Sequence, residues 1–160
     1  EYYMRYIENP YKTEIEIDEL SRALVEEPDW LGDSAVLRKA RESFRDIAGR
    51  FNACTIGKYG KAFTFKGLRI REMKPTYVIE KGLVKKILGF YDPVNNEIAL
   101  SSDLPPYLVN RVLAHELAHY IQDKTGIIDN LVGKYGRSAR KRIEEHADQL
   151  VSECFACYRN

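Results

Sequence analysis

The segment between Pro105-Pro106 and Gly126 leaves this chain the fewest choices. Proline at the first helical position and glycine just past the last are ordinary helix punctuation. Between them, Leu108, Val109, Val112, Leu113, Ala114, Leu117, Ala118, Tyr120 and Ile121 cover most of a helical circumference. A surface helix needs cover on one side only, whereas a helix apolar nearly all round must be enclosed. The rest of the chain therefore has to supply layers on more than one side of it. With 160 residues and 18.5 kDa, a single domain over residues 1–160 can bury roughly 69% of its unfolded surface. Such a core needs no disulfide staples.

The flanking pattern supplies the layers. Asp18 to Glu27 reads as a short helix with Ile17, Leu20, Leu24 and Val25 on one side, ended by Pro28. Asp33 is a suitable N-cap for a second helix from Ser34 to about Phe51. Its apolar positions Val36, Leu37, Ala40, Phe44, Ile47, Ala48 and Phe51 recur at steps of three and four. The first 55 residues are thus expected to be largely helical. From about 60 to 101 glycines punctuate short β-prone runs. One strand is expected over Phe63–Ile70, with a bulge near Gly67, and another over Thr76–Ile79. Ile87–Tyr91 and Glu97–Leu100 flank Asp92-Pro93-Val94-Asn95-Asn96, a hairpin pattern. After a glycine-punctuated loop, Ile127–Arg137, a last helix is expected from about Ser138 to Tyr158. The fold class is α+β: a small antiparallel or mixed sheet packed on the buried helix of a 105–160 helical part, with N-terminal helices beside it.

Composition narrows the function. Lys and Arg number 25 and Asp and Glu 24, for a net charge of +1. That argues against a domain built to neutralise nucleic acid phosphates. No apolar run is long enough to span a membrane. The cysteines, Cys54, Cys154 and Cys157, are odd in number and do not suggest a secreted disulfide framework. Cys154-Phe155-Ala156-Cys157 is a CxxC, but Cys154 falls on the apolar stripe of the last helix and reads as core. The first residues, Glu1-Tyr2-Tyr3-Met4-Arg5-Tyr6, have no apolar leader. The expected compartment is the cytoplasm.

All three histidines lie between 115 and 146. Two of them stand in His115-Glu116-Leu117-Ala118-His119, an HExxH sequence on the enclosed helix. Residues i and i+4 share a helix face, so both imidazoles can share one metal ion, most often Zn²⁺. Glu116 is one step round, able to reach a metal-activated water without being a ligand. Polar groups inside an apolar helix are costly without partners, and a metal supplies one. A catalytic zinc takes a third protein ligand. The last helix offers Glu144, Glu145, His146 and Asp148. Glu144 and Asp148 share one face beside the apolar stripe. With Glu144 as ligand, Asp148 can accept a hydrogen bond from a ligating histidine. Glu145 and His146 remain the other candidates.

HELAH followed by Glu144-Glu145-His146-Ala147-Asp148 resembles the gluzincin class of zinc metallopeptidases, whose pattern is HExxH and then E-x-x-x-D on the next helix. The resemblance covers about residues 87–152. The rival signature HExxHxxGxxH is absent, with Gln122 and Thr125 at its positions. The resemblance implies a zincin-like fold, Glu144 as third zinc ligand, Asp148 bracing a zinc-binding histidine and Glu116 as general base. It further implies a zinc metalloendopeptidase acting on peptides or unfolded protein. The hairpin strand Glu97–Ser101 would form the upper rim of the cleft and pair with substrate. The class often adds a tyrosine or histidine for the oxyanion, and Tyr135 is the candidate here. The competing expectation is a latent or regulatory module that keeps the zinc site but has an occluded cleft, with the tyrosine-rich segment 1–17 lying across it.

Overall fold

A computed structural model describes residues 25–60 and 63–156. Strand β1 (Asp29–Trp30) precedes helix α1 (Ala35–Tyr59). Strands β2 (Arg69–Met73), β3 (Thr76–Glu80), β4 (Leu83–Ile87), β5 (Gly89–Asp92) and β6 (Glu97–Ser101) follow. Helices α2 (Pro106–Lys124), α3 (Ile127–Tyr135) and α4 (Ala139–Ala156) complete it, with a 3₁₀ turn at Gly136–Ser138. The class is α+β.

Helix α2 occupies the middle. It packs against β5 and β6 on one side and against α1, α3 and α4 on others. Val109, Val112, Leu113, Ala114, Leu117, Ala118, Tyr120 and Ile121 are all buried, as a helix apolar nearly all round requires. A chain of ring contacts runs beside it. Trp30 meets Phe44 edge-on at 5.6 Å, and Phe44 meets Phe65 at 5.5 Å. Phe65 stacks on Tyr120 at 5.4 Å, and Tyr120 meets Tyr91 at 5.9 Å. Edge-to-face and stacked pairs add about 0.5–1.5 kcal/mol each beyond their burial. They link β1, α1, the Phe63–Leu68 segment, α2 and β5. The Tyr120 hydroxyl donates to the Thr64 carbonyl at 2.6 Å, and the Tyr91 hydroxyl to Asp123 Oδ2 at 2.6 Å. The second bond ties β5 to the last turn of α2.

The strands form two sheets where one was expected, and the larger is mixed, one of the two expected forms. One is four-stranded and mixed, ordered β1-β2-β6-β5, with β1, β2 and β6 parallel and β5 antiparallel to β6. The other is a separate hairpin, β3–β4. The expected strand over Phe63–Ile70 begins only at Arg69. Gly67 is in a turn (φ 86°), while Phe63, Phe65 and Leu68 plug the core from irregular chain. Strand β4 was not foreseen, and it exposes Leu83 and Val84. The hairpin around Asp92–Asn96 forms as expected. Asp92 Oδ1 accepts from the Val94 and Asn95 amides at 2.9 and 3.3 Å, an Asx-type turn.

The helices need four corrections. Ser34, not Asp33, caps α1 by accepting from the Leu37 amide at 3.3 Å. The helix continues two turns beyond Phe51, to a C-cap at Gly60 with φ 74°, a conformation glycine adopts without strain. Ile127–Arg137 is not a loop but mostly α3, whose Gly133 sits inside the helix. Of the short helix expected over Asp18–Glu27, residues 18–24 lie outside the described residues, and Val25–Pro28 is not helical. The segment 1–17 and Cys157 also lie outside them. Cys154 is buried.

Gly89, the first residue of β5, is needed for close approach. A Cβ there would sit 2.8 Å from Val112 Cγ1 and 3.0 Å from the Ala99 carbonyl oxygen. Gly89→Ala should therefore push β5 away from α2 and destabilise the fold by about 1–3 kcal/mol in urea unfolding. An unchanged midpoint would mean that the strand does not lie this close.

Candidate metal centre

Both histidines of HELAH project from α2 towards α4. His115 Nε2 and His119 Nε2 lie 3.1 Å apart. Glu144, from α4, brings Oε2 to 3.0 Å from His115 Nε2 and Oε1 to 3.2 Å from His119 Nε2. A tetrahedral ion with arms of ~2.0–2.1 Å separates its ligand atoms by ~3.3 Å. The three groups thus stand close to the spacing of three tetrahedral corners.

The outer ring nitrogens decide what the inner ones offer. His115 Nδ1 faces Asp148 Oδ1 at 3.3 Å, and His119 Nδ1 faces Gln122 Oε1 at 2.9 Å. Carboxylate and amide oxygens only accept, so a proton on either Nδ1 finds an acceptor there, in the tautomer that leaves Nε2 free for a metal. In neutral rings each Nε2 is then a lone pair. Two lone pairs and a carboxylate converge with no hydrogen among them. Such a group is stable only around positive charge, supplied by a metal ion or by extra protons on the imidazoles. The donor set therefore fits a divalent cation. A wider group, His115, Glu116 and His119, also has ligand atoms within 4.8 Å of one another, but the Glu144 contacts are tighter.

The electrostatics express the same convergence. Hydrogen bonding by His115 and His119 holds the Glu144 carboxyl well below the usual range. The bond to Glu144 raises His115. Burial pulls His119 down, but Glu144 and the neighbouring Glu116 charge carry it up on balance. Glu116 is 6% exposed. Burial pushes its carboxyl up to about 7 against the pull of the two imidazoles.

A cleft of about 410 Å³ opens over this cluster. Lys86, Ile87, Leu88 and Gly89 form one wall, and Arg111, Val112, His115, Glu116 and Glu144 the other. The rim expected from Glu97–Ser101 has to be corrected. That strand, β6, lies between β2 and β5 and has partners on both sides. Strand β5 ends the sheet on the side of β6, and the cleft wall runs into it.

Other residues singled out in the sequence fall as follows. Asp148 meets His115. Glu145 is exposed. His146 turns its Nδ1 to Gln122 Nε2 at 2.8 Å rather than to the two Nε2 atoms. Tyr135 ends α3, its ring 4.5 Å from the Arg142 guanidinium carbon and 5.5 Å from Lys134 Nζ. The described cleft lining does not include it. Gln122 was noticed only as a departure from another signature. It is fully buried on α2, and a buried polar side chain one turn beyond His119 was a readable signal.

A family model described as "Putative metallopeptidase family (DUF6782)" matches residues 71–152, just over half of the chain. The chain belongs to this family. The matched stretch contains the cleft wall, HELAH, Glu144 and Asp148, and a metallopeptidase family implies a metal. No curated protein and no solved structure matches the chain. No helix among the described residues is long and apolar enough to cross a membrane.

Protons and metal compete for the same Nε2 atoms. In metal-free protein the raised imidazoles stabilise the fold fully below their unfolded value of ~6.5. That contribution is lost as pH rises through the raised folded values. Added metal should therefore raise the thermal midpoint strongly at pH ~8 and progressively less towards pH ~5.5. A metal-induced shift that stays constant over this range would contradict the convergence on these nitrogens.

Proposed function

We propose that the chain is a zinc-dependent endopeptidase of the gluzincin kind. In this reading His115, His119 and Glu144 hold Zn²⁺, Asp148 orients His115, and Glu116 is the general base. The observation that carries it is the convergence of two imidazole Nε2 atoms and one carboxylate at 3.0–3.2 Å, with Glu116 beside them on the cleft wall. Zinc favours such a nitrogen and oxygen set with a fourth position open. The mixed sheet packed on α2 and the glutamate on α4 support the zincin-like reading of this α+β fold.

Zn²⁺ bound there would supply Lewis acidity, acidifying a water and polarising the scissile carbonyl. The remaining work falls to the chain. Glu116 accepts a proton from the attacking water at its carboxylate and delivers it to the leaving amine. Its apolar surroundings keep its proton affinity near neutrality, where a base can both take up and release a proton. Asp148 holds the His115 ring in the tautomer that presents Nε2. The outer edge of β5, the side away from β6, offers backbone groups to an extended substrate, which adds as a strand. An open sheet edge selects polypeptide in extended form, so peptides and unfolded proteins are the substrate class.

Metal analysis of protein purified without chelator should find one zinc per chain, with cleavage of an unfolded protein. Glu116→Gln should keep the zinc and lose about 10²–10⁴-fold in kcat. Cleavage by Glu116→Gln at the wild-type rate would remove the general-base assignment. One bound zinc with no cleavage by either protein would favour the latent module.

A further inference from the structure

Gln122 has four hydrogen-bonding positions and no solvent exposure. Its Oε1 accepts from His119 Nδ1 at 2.9 Å. Its Nε2 donates to the Ile143 carbonyl at 3.0 Å and to His146 Nδ1 at 2.8 Å. These partners determine which way the amide points. A flipped amide would set Oε1 against the Ile143 carbonyl oxygen and Nε2 against the Nδ1–H of His119. Two carbonyl oxygens would then face each other with no hydrogen between them. Ile143 and His146, both on α4, thus select the orientation that aims oxygen at His119.

We propose that Gln122 and His146 form a positioning relay that fixes the tautomer and ring angle of His119 and docks α2 to α4 at the metal centre. The inference rests on the metal-site reading and extends it to Gln122, outside both motifs, and to His146, an unspecified position within ExxxD. His115 already has Asp148 on its outer nitrogen. The relay is the corresponding brace for the second, more deeply buried histidine. It also gives His146 a role that needs no contact with the ion. His146 Nδ1 and the Ile143 carbonyl together take the two hydrogens of the Gln122 amide.

The relay joins two helices through one side chain. Helix α4 also carries Glu144, so the contact that orients His119 holds the glutamate's helix in register. Loss of the Gln122 oxygen should loosen the His119 ring. Loss of His146 should leave the amide with one acceptor at Nε2 and weaken its orientation.

The test compares zinc affinity by chelator competition in wild type, Gln122→Met, Gln122→Glu and His146→Phe. Thermal midpoints of the metal-free forms control for folding. Gln122→Met keeps the volume but removes the acceptor, and zinc should bind about 10–100-fold more weakly. Gln122→Glu still presents an oxygen to His119 Nδ1–H and should recover much of that loss. His146→Phe should show a smaller loss than Gln122→Met. In zinc-loaded wild type the His119 Nδ1–H should give a sheltered, slowly exchanging proton resonance that is broadened away in Gln122→Met. Wild-type affinity in Gln122→Met overturns the relay, as does a loss that Gln122→Glu does not relieve while both variants keep their midpoints. Abolished binding in His146→Phe would make His146 a ligand and also overturn it. Failure of wild type itself to bind zinc would instead overturn the metal reading.

Discussion

Polar side chains on a helix in the middle of a protein are costly without partners, and α2 brings His115, Glu116, His119 and Gln122 together within two turns. Leaving each unsatisfied would cost about 1–3 kcal/mol. Most of what surrounds the helix can be understood as a response. Helix α4 supplies Glu144, Asp148, His146 and the Ile143 carbonyl, so a single neighbour meets both imidazoles and the glutamine. Two lone pairs and a carboxylate are left pointing at one place, where a cation completes the set. Glu116 accepts a different compromise. It keeps no hydrogen bond from this group and stands in apolar surroundings with its proton affinity raised.

The rest of the fold holds that arrangement beside a cleft. Aromatic contacts from Trp30 to Tyr91 bind sheet, α1 and α2 into one unit. Tyr91 ties the edge strand to Asp123 at the end of α2. Gly89 lets the strand begin against Val112 and Glu116 without a side chain between them. The cleft is therefore bounded by a strand edge and a helix whose separation is set by packing, and His115, Glu116 and Glu144 lie on the wall opposite the strand. The β3–β4 hairpin stands apart from the main sheet, with Tyr77, Ile79, Leu83 and Val84 exposed.

The elements that could be read from the sequence share a local cause. Helix α2 announces itself by proline, glycine and unbroken apolar content. The Asp92–Asn96 turn does so by Asx chemistry, and the stripe of α1 by its period. What was misread depended on partners distant in the chain. Gly133 made α3 look like a loop, although helices tolerate a glycine when neighbours pack on them, and here α2 and α4 do. Phe63, Phe65 and Leu68 looked like strand residues because burial and β-preference draw on the same residue types. Strand β6 was mistaken for a cleft rim because a hairpin pattern says which strands are neighbours and not which one ends the sheet. Two residues, Asp29 and Trp30, extend the sheet as β1 by pairing with Arg69 and Ile70, far along the chain.

By itself the sequence determined the enclosed helix, the pairing of His115 with His119 on one face, and the placing of Glu144 and Asp148 one turn apart on a later helix. These follow from helical periodicity, which needs no knowledge of the remainder. Only the tertiary structure decided that the face of Glu144 meets the Nε2 atoms while Asp148 takes an outer nitrogen. It also decided that His146 and Gln122 face each other, and that β5 rather than β6 borders the cleft. Those relations depend on how α4 is rotated against α2 and on the order of strands in the sheet. Both are set by packing between segments that are distant in the chain, and no local pattern encodes them.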